Sequence, residues 1–216
     1  MYNQIDNIMK TIRDDKEIGE FIDNYKRLPK PYKGNKKIKL IILGQDPTIE
    51  KDRPIDMVLE LDKNSKFKNY IIDICDKLGI GFDEIYATNL IKNFFTKMPK
   101  TLEKENKNKT IISKYVEYWL PVLEEEIKEY EDVPILTLGQ PILKFLVNED
   151  VKNELKFYWG YNSENSNRDF KIIEKKDNKL NRIIIPFPHV TTKNNSFYKD
   201  EFDNYCEFIN RIKEEQ

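Results

Sequence analysis

Four apolar runs do most to limit what this chain can fold into: "IKLIIL" (38–43), "EIYATNL" (84–90), the start of "VPILTLGQPILKFLV" (133–147), and "NRIIIPFPH" (181–189). They are continuous rather than alternating, as expected of strands covered on both faces, and between them lie helical patterns. Strand and helix taken in turn imply a parallel sheet with helices on each side. The expected fold is α/β: a three-layer α/β/α sandwich with a four-stranded, mainly parallel central sheet, forming a single domain over 1–216. Apolar periodicity predicts helices at 3–12, 15–27, 65–80, 107–130 and 198–215. Ser65 is placed to cap the third of these and Gly79 to stop it, while Pro121 should kink or split the fourth. "MVLEL" (57–61) reads as a short strand. "KRLPKPYKGNKK", the Asn- and Lys-rich stretch 97–110 and "ENSNRD" (164–169) read as loops.

Composition removes several classes of function. Charged residues make up 35% and hydrophobic residues 39% of 216, which suits a globular chain with a sizeable core. A formal charge of -1 gives no global basic signature, so any contact with nucleic acid must use a local patch. Two distant cysteines, Cys75 and Cys206, exclude a disulfide framework or a four-thiolate metal site within one chain. The N-terminal "MYNQIDNIMKTIRDD" has no uninterrupted apolar core, and no stretch approaches the ~20 apolar residues of a membrane span. A cytoplasmic location with no membrane partner is the expectation.

Ligands of open α/β sheets bind beyond the carboxyl ends of the strands. Those ends carry Gly44-Gln45-Asp46-Pro47, Thr88-Asn89, Gly139-Gln140, and Pro188-His189-Val190-Thr191-Thr192. A carboxylate, an amide, a glycine turn and the chain's single imidazole should therefore face one crevice. Taken singly, each has a plainer use. Asp46 before Pro47 suits a turn, Asn89 can satisfy frayed backbone, and Gly139-Gln140 can simply open a helix.

In this order, the four segments resemble the uracil-DNA glycosylase superfamily. "LGQDP" is similar to the Gly-Gln-Asp-Pro-Tyr-His motif of the main uracil-DNA glycosylases. "IYATNLIK" and "PILTLGQPILKFL" are similar to segments of the iron–sulfur branch, and "IIPFPHVTTKNN" stands where the family carries its His-Pro-Ser motif. The resemblance implies hydrolysis of the N-glycosidic bond of uracil or a related damaged base in DNA. It implies Asp46 as the group that handles water and the sugar cation, and His189 as the donor to the leaving base. Asn89 would read the base edge, beside Gln45, Pro47, Thr48 and Leu59. Ser65, Gly139, Gln140, Thr191, Lys193 and Asn194 are the DNA contacts it implies. DNA, single- or double-stranded, is the implied partner of a monomer, with no metal or organic cofactor. Departures from the family pattern are local. Thr48 replaces the Tyr that walls the pocket against a thymine methyl, Ile49 replaces the His after it, and Leu59 stands for a stacking aromatic. The wedge Leu is missing, and Asn93 and Trp119 occupy two cluster-cysteine positions. A weakened glycosylase fold that only binds DNA or protein, or a hydrolase of a free nucleoside or nucleotide, are the alternatives.

Overall fold

A computed structural model describes residues 2–49, 54–105, 110–161 and 168–214. Five strands form one sheet: β1 (Tyr32–Lys33), β2 (Leu40–Gly44), β3 (Ile85–Asn89), β4 (Ile135–Leu138) and β5 (Ile184–Phe187), in the order β1-β3-β2-β4-β5. The last four are mutually parallel, with Gly44 opposite Asn89, Leu43 opposite Thr137 and Leu138 opposite Phe187. Every residue of these four strands is buried, which is why the runs are continuous.

The helices are α1 (Tyr2–Asp14), α2 (Lys66–Lys77), α3 (Pro99–Glu105), α4 (Ile111–Ile127), α5 (Gln140–Leu146), α6 (Leu155–Tyr158) and α7 (Ser196–Glu214). Packing groups α2 with α7, and α1 and α3 with α4. Among the described residues, no helix is long and apolar enough to cross a membrane.

The α/β class and the parallel order agree with the sequence, and five details are corrected. The sheet has a fifth strand, because Tyr32 and Lys33 pair antiparallel with Ala87 and Tyr86 at its edge. Residues 15–27 form no α-helix: a 3₁₀ turn at Gly19–Phe21 is followed by a bridge from Ile22 to Phe95. Stretch 97–110 holds α3, opened by Pro99, a residue whose fixed φ and missing N–H suit a first helical position; residues 106–109 lie outside the described residues. "MVLEL" is not a strand but a 3₁₀ turn at Val58–Glu60, with Leu59 and Glu60 at φ 53° and 52°. Pro121 neither splits nor ends α4, which runs on to Ile127 with the proline on its exposed side. Of the 164–169 loop, only Arg168 and Asp169 are described.

Candidate active site

The parallel strands β3, β2, β4 and β5 deliver their carboxyl ends to one edge of the sheet in that order. Asn89, Gly44 with Asp46, Gly139 and His189 therefore stand side by side along that edge.

Asn89 is 1% exposed, and neither its Oδ1 nor its Nδ2 has a hydrogen-bond partner. Buried polar groups without partners are rare in folded proteins and cost roughly 1–3 kcal/mol each. Its amide lies across β2: a Cβ at residue 44 would sit 2.3 Å from Asn89 Oδ1 and 3.2 Å from a Leu59 methyl. Gly44 is thus required by space. Its φ is not in the left-handed region, so this glycine serves close approach rather than a turn. Leu59 closes the other side of the amide from a left-handed backbone, a conformation that costs an L-residue about 1–2 kcal/mol.

Asp46 follows Gly44 and Gln45, and the Gly44 and Gln45 carbonyls accept from the Leu90 and Ile91 N–H groups, both at 2.8 Å. These bonds tie the Asp46 loop to the segment after Asn89. Asp46 Oδ2 accepts from the Thr48 N–H at 3.0 Å. Burial raises its pKa to about 6, against the opposing pull of its bonds to Thr48. The Thr48 hydroxyl in turn accepts from the Phe95 N–H at 2.8 Å. Pro47 is buried behind the loop.

His189 packs on Gly139, whose φ of 94° no other residue adopts easily and whose Cβ would lie 3.2 Å from that of the histidine. The Thr191 N–H reaches His189 Nδ1 at 3.3 Å, and the Thr191 hydroxyl stands 2.9 Å from it. A backbone N–H can only donate, so Nδ1 is bare and the proton of the neutral ring sits on Nε2. Burial lowers the His189 pKa and keeps the ring neutral. The loop is braced by Tyr70 OH, which donates to the Pro188 carbonyl at 2.9 Å, and by Phe67, whose ring meets the imidazole edge-on at 5.2 Å.

The remaining expected contacts are more dispersed. Ser65 caps α2, accepting from the Lys68 N–H at 3.0 Å. Gln140 is exposed at the start of α5, and its side chain accepts from the Leu155 N–H. Lys193 lies over the Tyr70 ring at 4.6 Å, and Asn194 is exposed in the turn after His189.

Two features escaped the sequence. Behind Asn89, Glu126 of α4 is buried and accepts from Tyr86 OH at 2.6 Å and Thr88 Oγ1 at 2.8 Å, while Lys92 ion-pairs with it. Burial pulls the Lys92 pKa down and Glu126 opposes this. The motif "IYATNLIK" supplies three of these groups, but the carboxylate comes from a helix distant in sequence. Second, Asn93 and Trp119 meet: the indole N–H donates to Asn93 Oδ1 at 2.8 Å, and both are fully buried. These positions do not fit an iron–sulfur cluster, since neither residue is a thiolate. Cys75 and Cys206 are buried on α2 and α7, their thiols pushed up to about 12. Among the described residues, no group of three or more metal-ligating side chains exists.

A buried, unpartnered amide, a carboxylate and an imidazole thus stand in the order Asn89, Asp46, His189 along the carboxyl edge of a parallel sheet. Over residues 31–213 the chain matches the family model of the uracil DNA glycosylase superfamily, and it belongs to that superfamily of glycosylases that act on DNA. No curated protein matches the chain.

Proposed function

We propose that this protein hydrolyses the N-glycosidic bond of uracil, or of a related deaminated base, in DNA. The observation that carries this reading is Asn89. Its amide holds a donor and an acceptor side by side, and no other group of the described protein pairs with either. That pattern complements the O4 and N3–H edge of uracil swung out of the helix. Leu59 and Gly44 give the ring a floor of the right thinness.

The catalytic roles follow from position. Water attacks C1′ of the sugar while the bond to the base breaks and its electron pair leaves with the base. Asp46, ionised, orients the water, takes its proton and offsets the positive charge of the sugar. The Nε2–H of His189 donates to O2 of the departing base, where negative charge gathers. A neutral imidazole can do this only with its proton on Nε2, the tautomer that Thr191 enforces. Gln45 and Pro47 shape the loop, and Ser65, Gly139, Gln140, Thr191, Lys193 and Asn194 flank the path of the strand. No cofactor enters the scheme, and a monomer suffices.

A cleavage assay on oligonucleotides holding uracil, hypoxanthine, xanthine or mismatched thymine, with alkali to reveal abasic sites, tests the reading. Breaks are expected at uracil and are lost in Asn89→Ala. No breaks at any base, with free deoxyuridine hydrolysed, would move the activity to nucleosides.

A further inference from the structure

A recess of about 500 Å³ is lined in part by Thr48, whose N–H donates to Asp46. Its walls include Lys26, Thr48, Ile49, Thr96, Lys97 and Met98. Three chain segments build it, 23–26, 48–49 and 95–101, and the first and last are stitched together. The Asp23 N–H donates to the Phe94 carbonyl at 3.0 Å, the Thr96 N–H to the Phe21 carbonyl at 2.8 Å, and Ile22 pairs with Phe95. The same Phe95 N–H holds Thr48, so this groove and the Asp46 loop form one connected unit.

Between the lining residues Asp23 and Lys26 in the chain is an aromatic ring left in water. The Tyr25 N–H donates to Asp23 Oδ1 at 3.0 Å, a turn that carries the side chain outward, and Tyr25 is 99% exposed. In sequence, 23–30 and 95–101 hold Lys26, Arg27, Lys30, Lys97 and Lys100 against one acid, Asp23, in a chain whose formal charge is -1; of these cations Lys26 and Lys97 line the recess. Lys97 pairs with Glu105 and Lys26 with Asp23, yet the Lys97 pair is half exposed and yields to a phosphate at little cost. Hydroxyls of Thr96 and Thr101 add neutral donors.

We propose that this groove holds the nucleic-acid strand next to the nucleotide in the pocket, with Tyr25 stacking on an unpaired base and Lys26 and Lys97 on phosphates. Stacking aromatics set among lysines are how single strands are gripped without regard to sequence. An acidic peptide would meet the lysines but would give the ring nothing to stack on. The proposal rests on Asp46 and Asn89 marking the place of the flipped nucleotide.

Fluorescence anisotropy with labelled oligothymidylates of about four and about twelve nucleotides, which contain no cleavable base, tests it. Wild type should bind the longer strand more tightly. Tyr25→Ala should weaken binding of the longer strand by about 5- to 100-fold and that of the shorter by less than about twofold, with Tyr25→Trp restoring affinity. Lys97→Ala should lower affinity in low salt. Because Tyr25 is fully exposed, its replacement leaves the fold intact. Wild type that binds neither strand, or Tyr25→Ala and Lys97→Ala proteins that bind as wild type does, would overturn the proposal. Tyr25-dependent binding without cleavage of uracil would keep the groove and remove the hydrolysis. Cleavage with Tyr25-independent binding would do the reverse.

Discussion

Burial is the first cause of the shifts at both Asp46 and His189, and each also meets a threonine two residues on, Thr48 and Thr191. For Asp46 the sign of the effect is definite. The folded pKa of about 6 lies above the ordinary 3.8, so the fold favours the protonated acid. Ionising it costs stability as pH rises from about 4 to about 6, and the cost remains above that range. Asp46→Asn should therefore unfold in urea with a gain on the order of 1–3 kcal/mol at about pH 8 and none at about pH 4. Its turnover should fall by roughly 10²–10⁴-fold, the range for a lost general base. The wild-type rate should climb as pH passes about 6, since only ionised Asp46 accepts a proton. A mutant no more stable at the higher pH would show that Asp46 is well solvated. The placement of Asp46, Asn89 and His189 at or just past strand ends was legible, because long apolar runs lead up to each. The unpaired state of the Asn89 amide and the His189 tautomer were not, since both depend on what neighbouring strands and Thr191 do in space.

At the scale of elements, the segment just after β3 is joined to α4 by the buried Lys92–Glu126 ion pair. Lys92→Met alone leaves the Glu126 carboxylate buried without its cation and should cost about 3–5 kcal/mol. Lys92→Met with Glu126→Gln removes both charges and should recover a large part of that loss. Additive single and double mutants in a urea-unfolding cycle would mean that the pair does not couple β3 to α4. The sequence could show Lys92 at the end of a strand motif but not its partner 34 residues on. The same limit explains the helix wrongly expected at 15–27. Ile18 and Ile22 are spaced as on a helix and both are buried, but a 3₁₀ turn and the bridge to Phe95 bring them to the core instead. β1 is two residues between Pro31 and Gly34, too short to carry any period. The long runs that made β2 to β5 readable owe that legibility to burial on both faces.

For the molecule as a whole, strand order decides where chemistry can occur and charge decides how DNA can be held. β2 lies inside the sheet, flanked by β3 and β4, so Asp46 at its tip has Asn89 on one side and the Gly139–His189 contact beyond the other. On the proposed function DNA crosses this edge, yet a chain with formal charge -1 offers no general attraction to a polyanion. Binding must then come from a few lysines: Lys26 and Lys97 in the groove, and Lys193 beside His189. Each phosphate engaged on a single strand releases counterions, giving a slope of about -0.7 per contact in log affinity against log salt. Two to four contacts predict a total slope of roughly -1.5 to -3 for a single-stranded oligonucleotide. Lys97→Ala should flatten the slope by about one contact's worth, whereas Asn89→Ala, which touches the base alone, should leave it unchanged. Anisotropy titrations across a range of salt concentrations measure both. A slope steeper than about -5 would mean that the strand is held over a much wider basic surface than these lysines provide.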